Sequence, residues 1–302
     1  MQKSVAIVVT YNRKEMLEKN LRALLVQDSP SFDVLVCDNA GTDGTYELVR
    51  SYAESFRTRG QMLRYRNPGQ NLGGAGGFSY AIKKAVHLGY DKVWLMDDDT
   101  CPKPDAYVKL LEADRLLSGN YAYLASQVLW TDDTPCRMNL TIERNIEHDQ
   151  IQKTIQPIRQ ASFVSLLIPT QKIIEVGLPI RQFFLYGDDV EYTGRLNKVG
   201  IGYLVSESKV VHLLDENKAA DPVTLPEQKR NRIFYDSRNR FYIARQNGLR
   251  GLASYFYHQG QYAYRMLTEA GDDCWKRLCI LLKGTLAGFV FVPKVEFVKR
   301  KS

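Results

Sequence analysis

Near its start the chain carries five consecutive apolar residues, Val5, Ala6, Ile7, Val8 and Val9, between Lys3 and the polar group Tyr11, Asn12 and Arg13. This run predicts a strand over 5–10 and is too short for the apolar part of a signal peptide. Over 13–25 the period changes: Met16, Leu17, Leu21, Leu24 and Leu25 fall on one helix face. The alternation continues with strands over 32–37 and 63–66, a turn at Gly41, Thr42, Asp43 and Gly44, and a helix over 45–56. Gly73, Gly74, Gly76 and Gly77 break the chain before helical periodicity resumes over 78–88, and 92–96 forms the next strand. This succession predicts an α/β fold, a mostly parallel central sheet with helices on both faces. Ligands of such sheets bind beyond the C-terminal ends of the strands.

After residue 105 the pattern is less regular. A helix is predicted over 106–117 and a strand over 123–129, then a poorly periodic polar excursion over 131–157 on the binding side of the sheet. Strand character returns over 163–168 and 202–205. From about 222 the chain turns to helices rich in Tyr and Arg, dividing it into a main α/β domain, 1–220, and a helical C-terminal region, 221–302. The apolar stretch 279–292 contains Lys283 and is shorter than the roughly 20 residues that cross a bilayer. It predicts a buried helix, with a helix at a membrane surface, near Lys294, Lys299, Arg300 and Lys301, as the alternative.

Composition excludes a disordered chain, with 44 % hydrophobic and 25 % charged residues. The five cysteines, Cys37, Cys101, Cys136, Cys274 and Cys279, are odd in number and widely spaced, which predicts free thiols in a reducing, cytoplasmic setting. The net charge of +7 is concentrated late: Lys229, Arg230, Arg232, Arg238, Arg240, Arg245 and Arg250 are interleaved with Phe234, Tyr235, Phe241 and Tyr242. Such a surface suits a phosphorylated substrate, the face of an inner membrane or a second copy, with a solvated helix face over an aromatic core contact as the structural alternative. Nucleic acid is not expected, because an acidic triplet upstream would repel its backbone.

That triplet, Asp97, Asp98 and Asp99, ends the apolar strand 92–96. Adjacent carboxylates repel one another and call for a cation. Those at i and i+2 point to one side of an extended chain, so Asp97 and Asp99 are candidates to share Mn²⁺ or Mg²⁺, hard cations that bridge to phosphates. A solvated turn with Asp99 or Thr100 as helix cap is the structural alternative. His212, after Val210 and Val211, is a candidate third ligand, with a purely structural histidine as the alternative. A second acidic cluster, Asp188, Asp189 and Glu191, follows Phe183, Phe184, Tyr186 and Gly187. Asp189 is the candidate general base, and the cluster also suits the first turn of a helix over 192–199. Asn71, Gly73, Gly74, Gly76 and Gly77 allow a backbone to approach a diphosphate or sugar, without the spacing of either common nucleotide-binding loop; a turn for close helix packing is the structural alternative. Thr10, Tyr11, Asn12 and Arg13 after the first strand, and Asp38 after the second, lie where a nucleotide is expected.

In their order and spacing these motifs resemble the inverting glycosyltransferases of family 2, over about residues 4–215. The segment 71–78 followed by 96–99 is especially similar to galactofuranosyltransferases and to nearby rhamnosyltransferases. The resemblance implies a GT-A nucleotide-sugar fold, a UDP-sugar donor, Mn²⁺ or Mg²⁺ held by Asp97, Asp99 and His212, and uridine contact by Asp38. It further implies that Asp98 meets the sugar and that Asp189 deprotonates the acceptor. The implied activity is transfer of galactofuranose from UDP-galactofuranose to a growing, lipid-linked bacterial surface glycan. Rhamnosyl transfer from dTDP-rhamnose is the alternative within the class; a non-catalytic carbohydrate-binding or assembly protein and a nucleotidyltransferase are those outside it.

Overall fold

A computed structural model describes residues 3–143 and 153–300; part of the excursion over 131–157 lies outside the described residues. The first half alternates β1 (Ser4–Thr10), α1 (Lys14–Leu25), β2 (Phe32–Asp38), α2 (Thr45–Thr58), β3 (Leu63–Arg66), α3 (Gly73–His87) and β4 (Lys92–Asp97). There follow β5 (Thr100–Pro102), α4 (Ala106–Leu116), β6 (Tyr123–Leu129), β7 (Ile142–Glu143), β8 (Ile155–Gln160), β9 (Leu166–Pro169), α5 (Thr170–Val176), α6 (Asp188–Leu196) and β10 (Gly202–His212). Three helices close the chain: α7 (Arg232–Gln246), α8 (Gly248–Glu269) and α9 (Cys274–Val290).

One sheet runs in the order β3-β2-β1-β4-β9-β6-β10-β8-β7, with β5 on the far end of β10. β1, β2, β3 and β4 are mutually parallel neighbours, so Thr10, Asp38 and Asp97 leave the sheet at the same edge. Both faces of β1, β2 and β4 are buried, explaining why 5–9 reads as unbroken apolar sequence rather than as an alternation. One core packs Ile7, Leu35 and Leu95 against Phe78 and Ile82 of α3; the other packs Val8, Val34 and Trp94 against Leu17, Leu21 and Tyr107.

Four local expectations are corrected. The glycine run does not break the chain but forms the first turns of α3, which therefore begins at Gly73 rather than near 78. Its glycines permit close approach: a methyl at Gly77 would lie 2.6 Å from Val9 Cγ1, and one at Gly73, where φ is +69°, 2.2 Å from the Phe184 carbonyl oxygen. The strand expected over 202–205 runs on to His212 through an irregularity between Val205 and Lys209. The strand expected over 163–168 is confined to Leu166–Pro169, since Phe163 and Val164 pack into the two cores from a non-strand backbone. Helix α9 is buried on one face only.

The C-terminal segment returns to the sheet domain. Leu178 N–H donates to the Glu296 carbonyl (2.8 Å), Arg300 pairs with Asp91 (2.7 Å) and Val298 enters the core beneath α3.

Candidate active site

A tight turn builds the acidic centre. β4 ends at Asp97, and β5 begins three residues later and pairs antiparallel with β10, placing Thr100 opposite His212. Leu213 N–H donates to the Asp99 carbonyl (2.9 Å), and buried Asn20 of α1 donates to the Thr100 carbonyl (2.7 Å). The strand ladder thus carries a histidine 113 positions further along the chain to the triplet's side, with Nε2 3.2 Å from Asp99 Oδ1.

Successive carboxylates diverge. Asp98 turns toward β1, where its oxygens accept the Thr10 hydroxyl (2.7 Å) and pair with Arg13 (3.0 Å). Arg13 also pairs with Asp99 Oδ2 (2.9 Å). Asp97, Asp99 and His212 form the opposite group, each offering a ligand atom within 4.8 Å of the others. Asp99 Oδ1 is buried and lacks a hydrogen bond, despite its proximity to His212. An orphaned carboxylate oxygen inside a group of three ligand atoms is what a divalent cation would satisfy, and the donor set of two carboxylates and one imidazole suits Mn²⁺ or Mg²⁺.

Asn139 orients the histidine. Its Nδ2 donates to Ser162 (2.9 Å), which leaves Oδ1 to accept from the Cys136 thiol (3.1 Å) and from His212 Nδ1 (2.7 Å). The Nδ1 proton is thereby held away from the acidic group, and Nε2 faces it, the usual outer support of a ligating imidazole.

Electrostatics follow from burial and crowding. Burial and then the charge of Asp99 push Asp97 up to about 7. Burial lifts Asp98 to about 6 against the pull of Arg13. Burial would also raise Asp99, but the neighbouring His212 and Arg13 hold it below the usual carboxylate range. For His212 burial acts downward, yet Asp99, Cys136 and Asp97 together bring it up to about 10. The His212 imidazole and the Arg13 guanidinium thus lie against the carboxylates they offset.

Asp188 and Asp189 stand in the first turn of α6, both partly exposed. Asp189 Oδ1 accepts its neighbour's N–H at Val190 (2.7 Å). Burial raises both carboxyls, Asp188 well above its usual value with Asp189 as the next cause; the charge of Asp189 in turn contributes to raising Asp97. The two acidic clusters are therefore near enough for the charge of one to act on the other. Glu191 has a structural role: it grips Arg195 (2.6 and 2.9 Å), which donates to the Val176 and Leu178 carbonyls.

Elsewhere the predicted donor residues brace loops. Asp38 is almost fully buried, accepting Gly41 N–H and the Tyr65 hydroxyl (both 2.7 Å). Asn71 Oδ1 accepts Gly73 N–H (2.8 Å), and Ala75 N–H donates to the Phe184 carbonyl (3.2 Å), so two amides of the glycine-rich turn serve the protein itself. Gly74 borders open space, since a methyl there would meet nothing closer than Leu185 at 4.0 Å. Tyr11 is exposed at the mouth.

Sequence reasoning left the role of α7 open. The loop before α6 holds Phe184 and Tyr186 at φ of +65°, a region that side chains rarely adopt. Asn239, fully buried on α7, stabilises it: Nδ2 donates to the carbonyls of Phe183 (3.0 Å), Leu185 and Tyr186 (both 2.8 Å). Arg238 adds bonds to the Gln182 (2.7 Å) and Phe183 (3.0 Å) carbonyls while its guanidinium lies 4.1 Å over the Phe291 ring. Asn239→Leu, which removes the shared donor from three carbonyls, should cost about 2 kcal/mol or more of stability in a denaturant melt. An unchanged melt would show that the loop holds itself.

Residues 5–158 match the model of glycosyl transferase family 2. The chain belongs to that family. Galactofuranosyltransferase GlfT1 of Mycolicibacterium smegmatis is 28 % identical over 270 residues, 82 % of this chain and 84 % of that protein. Among solved structures, S. aureus TarS 1–349 in complex with UDP superposes with a TM-score of 0.53 and 17 % identity, over 95 % of this chain and 90 % of that one. GalNAc-T7 with UDP, GalNAc and Mn²⁺ gives a TM-score of 0.58 and 13 % identity, over 71 % and 44 %. These likenesses establish the GT-A fold, and the family makes the chain a glycosyltransferase.

Proposed function

We propose that this family 2 glycosyltransferase moves galactofuranose from UDP-galactofuranose to a growing, lipid-linked bacterial surface glycan, with inversion at the anomeric carbon. The grouping of Asp97, Asp99 and His212 around the orphaned Asp99 oxygen, with Asp189 near enough for its charge to act on Asp97, carries the reaction type. The sugar rests on the likeness to GlfT1 over 82 % of the chain. The UDP and Mn²⁺ of the solved neighbours support the donor and metal classes.

In this mechanism Asp189 accepts the proton of an acceptor hydroxyl as that oxygen forms its bond to the anomeric carbon. The bond from that carbon to the diphosphate oxygen breaks in the same displacement, and UDP leaves with its electron pair. Asp97, Asp99 and His212 would hold a divalent cation, which would supply positive charge to the leaving diphosphate. Asp98, held by Thr10 and Arg13, shapes the wall against which the donor lies. Gly74 lets the donor approach α3. Tyr11 and the loop braced by Asp38 and Tyr65 receive the nucleoside.

A donor panel with a synthetic lipid-linked acceptor tests the assignment. UDP-galactofuranose should yield UDP and an acceptor heavier by one hexose, faster than UDP-galactopyranose or dTDP-rhamnose does. Preference for dTDP-rhamnose would reassign the sugar, release of pyrophosphate would indicate nucleotidyl transfer, and no metal-dependent turnover of any donor would favour a binding protein.

A further inference from the structure

The last helix has a face that no described residue covers. Along α9 the exposed positions Trp275, Cys279, Leu282, Leu286 and Phe289 recur at alternating intervals of four and three, the spacing of one continuous helical stripe. Their apolar side chains are far from buried: Trp275 is 70 % exposed, Leu282 57 %, Leu286 66 % and Phe289 55 %. The helix cannot roll to hide them, because its opposite face is seated on α7 through glycines. A methyl at Gly284 would lie 2.6 Å from the Phe234 carbonyl oxygen, and one at Gly288 2.7 Å from Phe241 Cβ. Leu278 and Leu281 close the same face with Ile233 and Met266. The apolar patch continues onto α8, where half-exposed Phe256 lies against Phe241, the ring that also packs on Phe289.

Charge selects the occupant. Cys274–Val290 contains no Asp or Glu. Lys276 and Lys283 are exposed beside the stripe, whereas the remaining cation, Arg277, is buried and donates to the Pro222 and Leu225 carbonyls. A second copy on this face would bring lysines toward lysines with no acid on either helix to pair them. Anionic headgroups would neutralise the same lysines while the acyl boundary took up the apolar stripe. A tryptophan at one end of the stripe favours that boundary. No helix among the described residues is long and apolar enough to cross a membrane.

We propose that α9 docks the protein on the surface of an anionic phospholipid bilayer, lying in its plane. Trp275, Leu282, Leu286 and Phe289 enter the acyl boundary, and Lys276 and Lys283 meet lipid phosphates. The docked helix rests on α7, whose Arg238 and Asn239 hold the loop that launches Asp189, so the bilayer comes one helix layer from the acceptor side of the site. Binding of vesicles requires no turnover, so this docking can fail or hold independently of the donor and acceptor proposed above.

The full chain is sedimented with large unilamellar vesicles of pure phosphatidylcholine and of equal parts phosphatidylcholine and phosphatidylglycerol. Binding to the mixed vesicles should exceed binding to phosphatidylcholine by about tenfold or more. The paired variants Leu282→Glu with Leu286→Glu, and Lys276→Glu with Lys283→Glu, should each lose about tenfold or more of it with unchanged melting temperature. If the leucine pair lowers the melting temperature, the lysine pair decides. Equal binding by wild type and the deciding variant, absence of binding to the mixed vesicles, or a wild-type dimer in light scattering that the variants dissociate would each overturn the proposal; the last would give the face to a second copy.

Discussion

Asp189→Asn is expected to lower the rate of glycosyl transfer about a thousandfold while leaving UDP affinity within about twofold of wild type. The two readouts separate because, in the proposed mechanism, Asp189 meets the acceptor and not the nucleotide. Asparagine keeps the size of the side chain, and its oxygen can still accept the Val190 N–H that now holds Asp189 Oδ1 at 2.7 Å. Stability should therefore change little. What is lost is a carboxylate whose affinity for protons burial has raised, which makes it a better acceptor near neutral pH. The sign of the pH dependence follows: the base must be unprotonated, so turnover falls as pH drops through a pKa above the usual carboxylate range. Wild-type turnover by purified Asp189→Asn would remove the residue from the mechanism.

Asp99→Asn is expected to weaken Mn²⁺ binding by more than about a hundredfold, beyond what loss of an outer supporting partner costs. Calorimetry or the paramagnetic signal of free Mn²⁺ reads this without any turnover. Asp99 supplies the orphaned buried oxygen, so its replacement removes the strongest structural reason for a cation to bind there. The wild-type affinity should also depend on pH. A cation competes with the proton on Asp97, brought up to about 7 by burial and by Asp99, and with the proton on His212, brought up to about 10. Binding thus releases protons, and affinity weakens as pH falls below about 10, more steeply below about 7. An affinity independent of both Asp99 and pH would place the metal elsewhere.

Several features of this site were legible in the chain because they are local. An apolar run ending in carboxylates marks a buried strand that opens at the sheet edge; the expected grouping of Asp97 with Asp99 apart from Asp98 is found, but the turn after β4, not an extended strand, produces it. The acidic first turn of α6 was equally visible, since helix N-termini favour negative charge. The glycine run was legible as a close approach but not as part of a helix: what approaches is the Phe184 carbonyl and Val9, and neither can be inferred from glycines read by themselves.

Other site features are set by pairings between distant segments. His212 reaches Asp99 because the three-residue β5, too short to announce itself by periodicity, pairs with the end of β10. Asn139 fixes the tautomer of His212 from an irregular excursion with no repeating pattern. The Arg and Tyr pattern of α7 suggested a charged surface, whereas Arg238 and Asn239 are turned inward to hold backbone carbonyls at positive-φ residues. The apolar stretch at the end of the chain likewise gave hydrophobicity without direction, and only packing of Gly284 and Gly288 on α7 decided which face is left outside.

By itself, then, the sequence determined the α/β alternation, the edge where the site lies and the chemical kinds of its main groups, because these follow from short-range periodicity and from charges too close together to be left uncompensated. Tertiary structure alone decided which polar groups meet, which carbonyls the buried amides satisfy and which helix face remains open. Those outcomes depend on contacts between residues tens to more than a hundred positions apart, for which no local period exists.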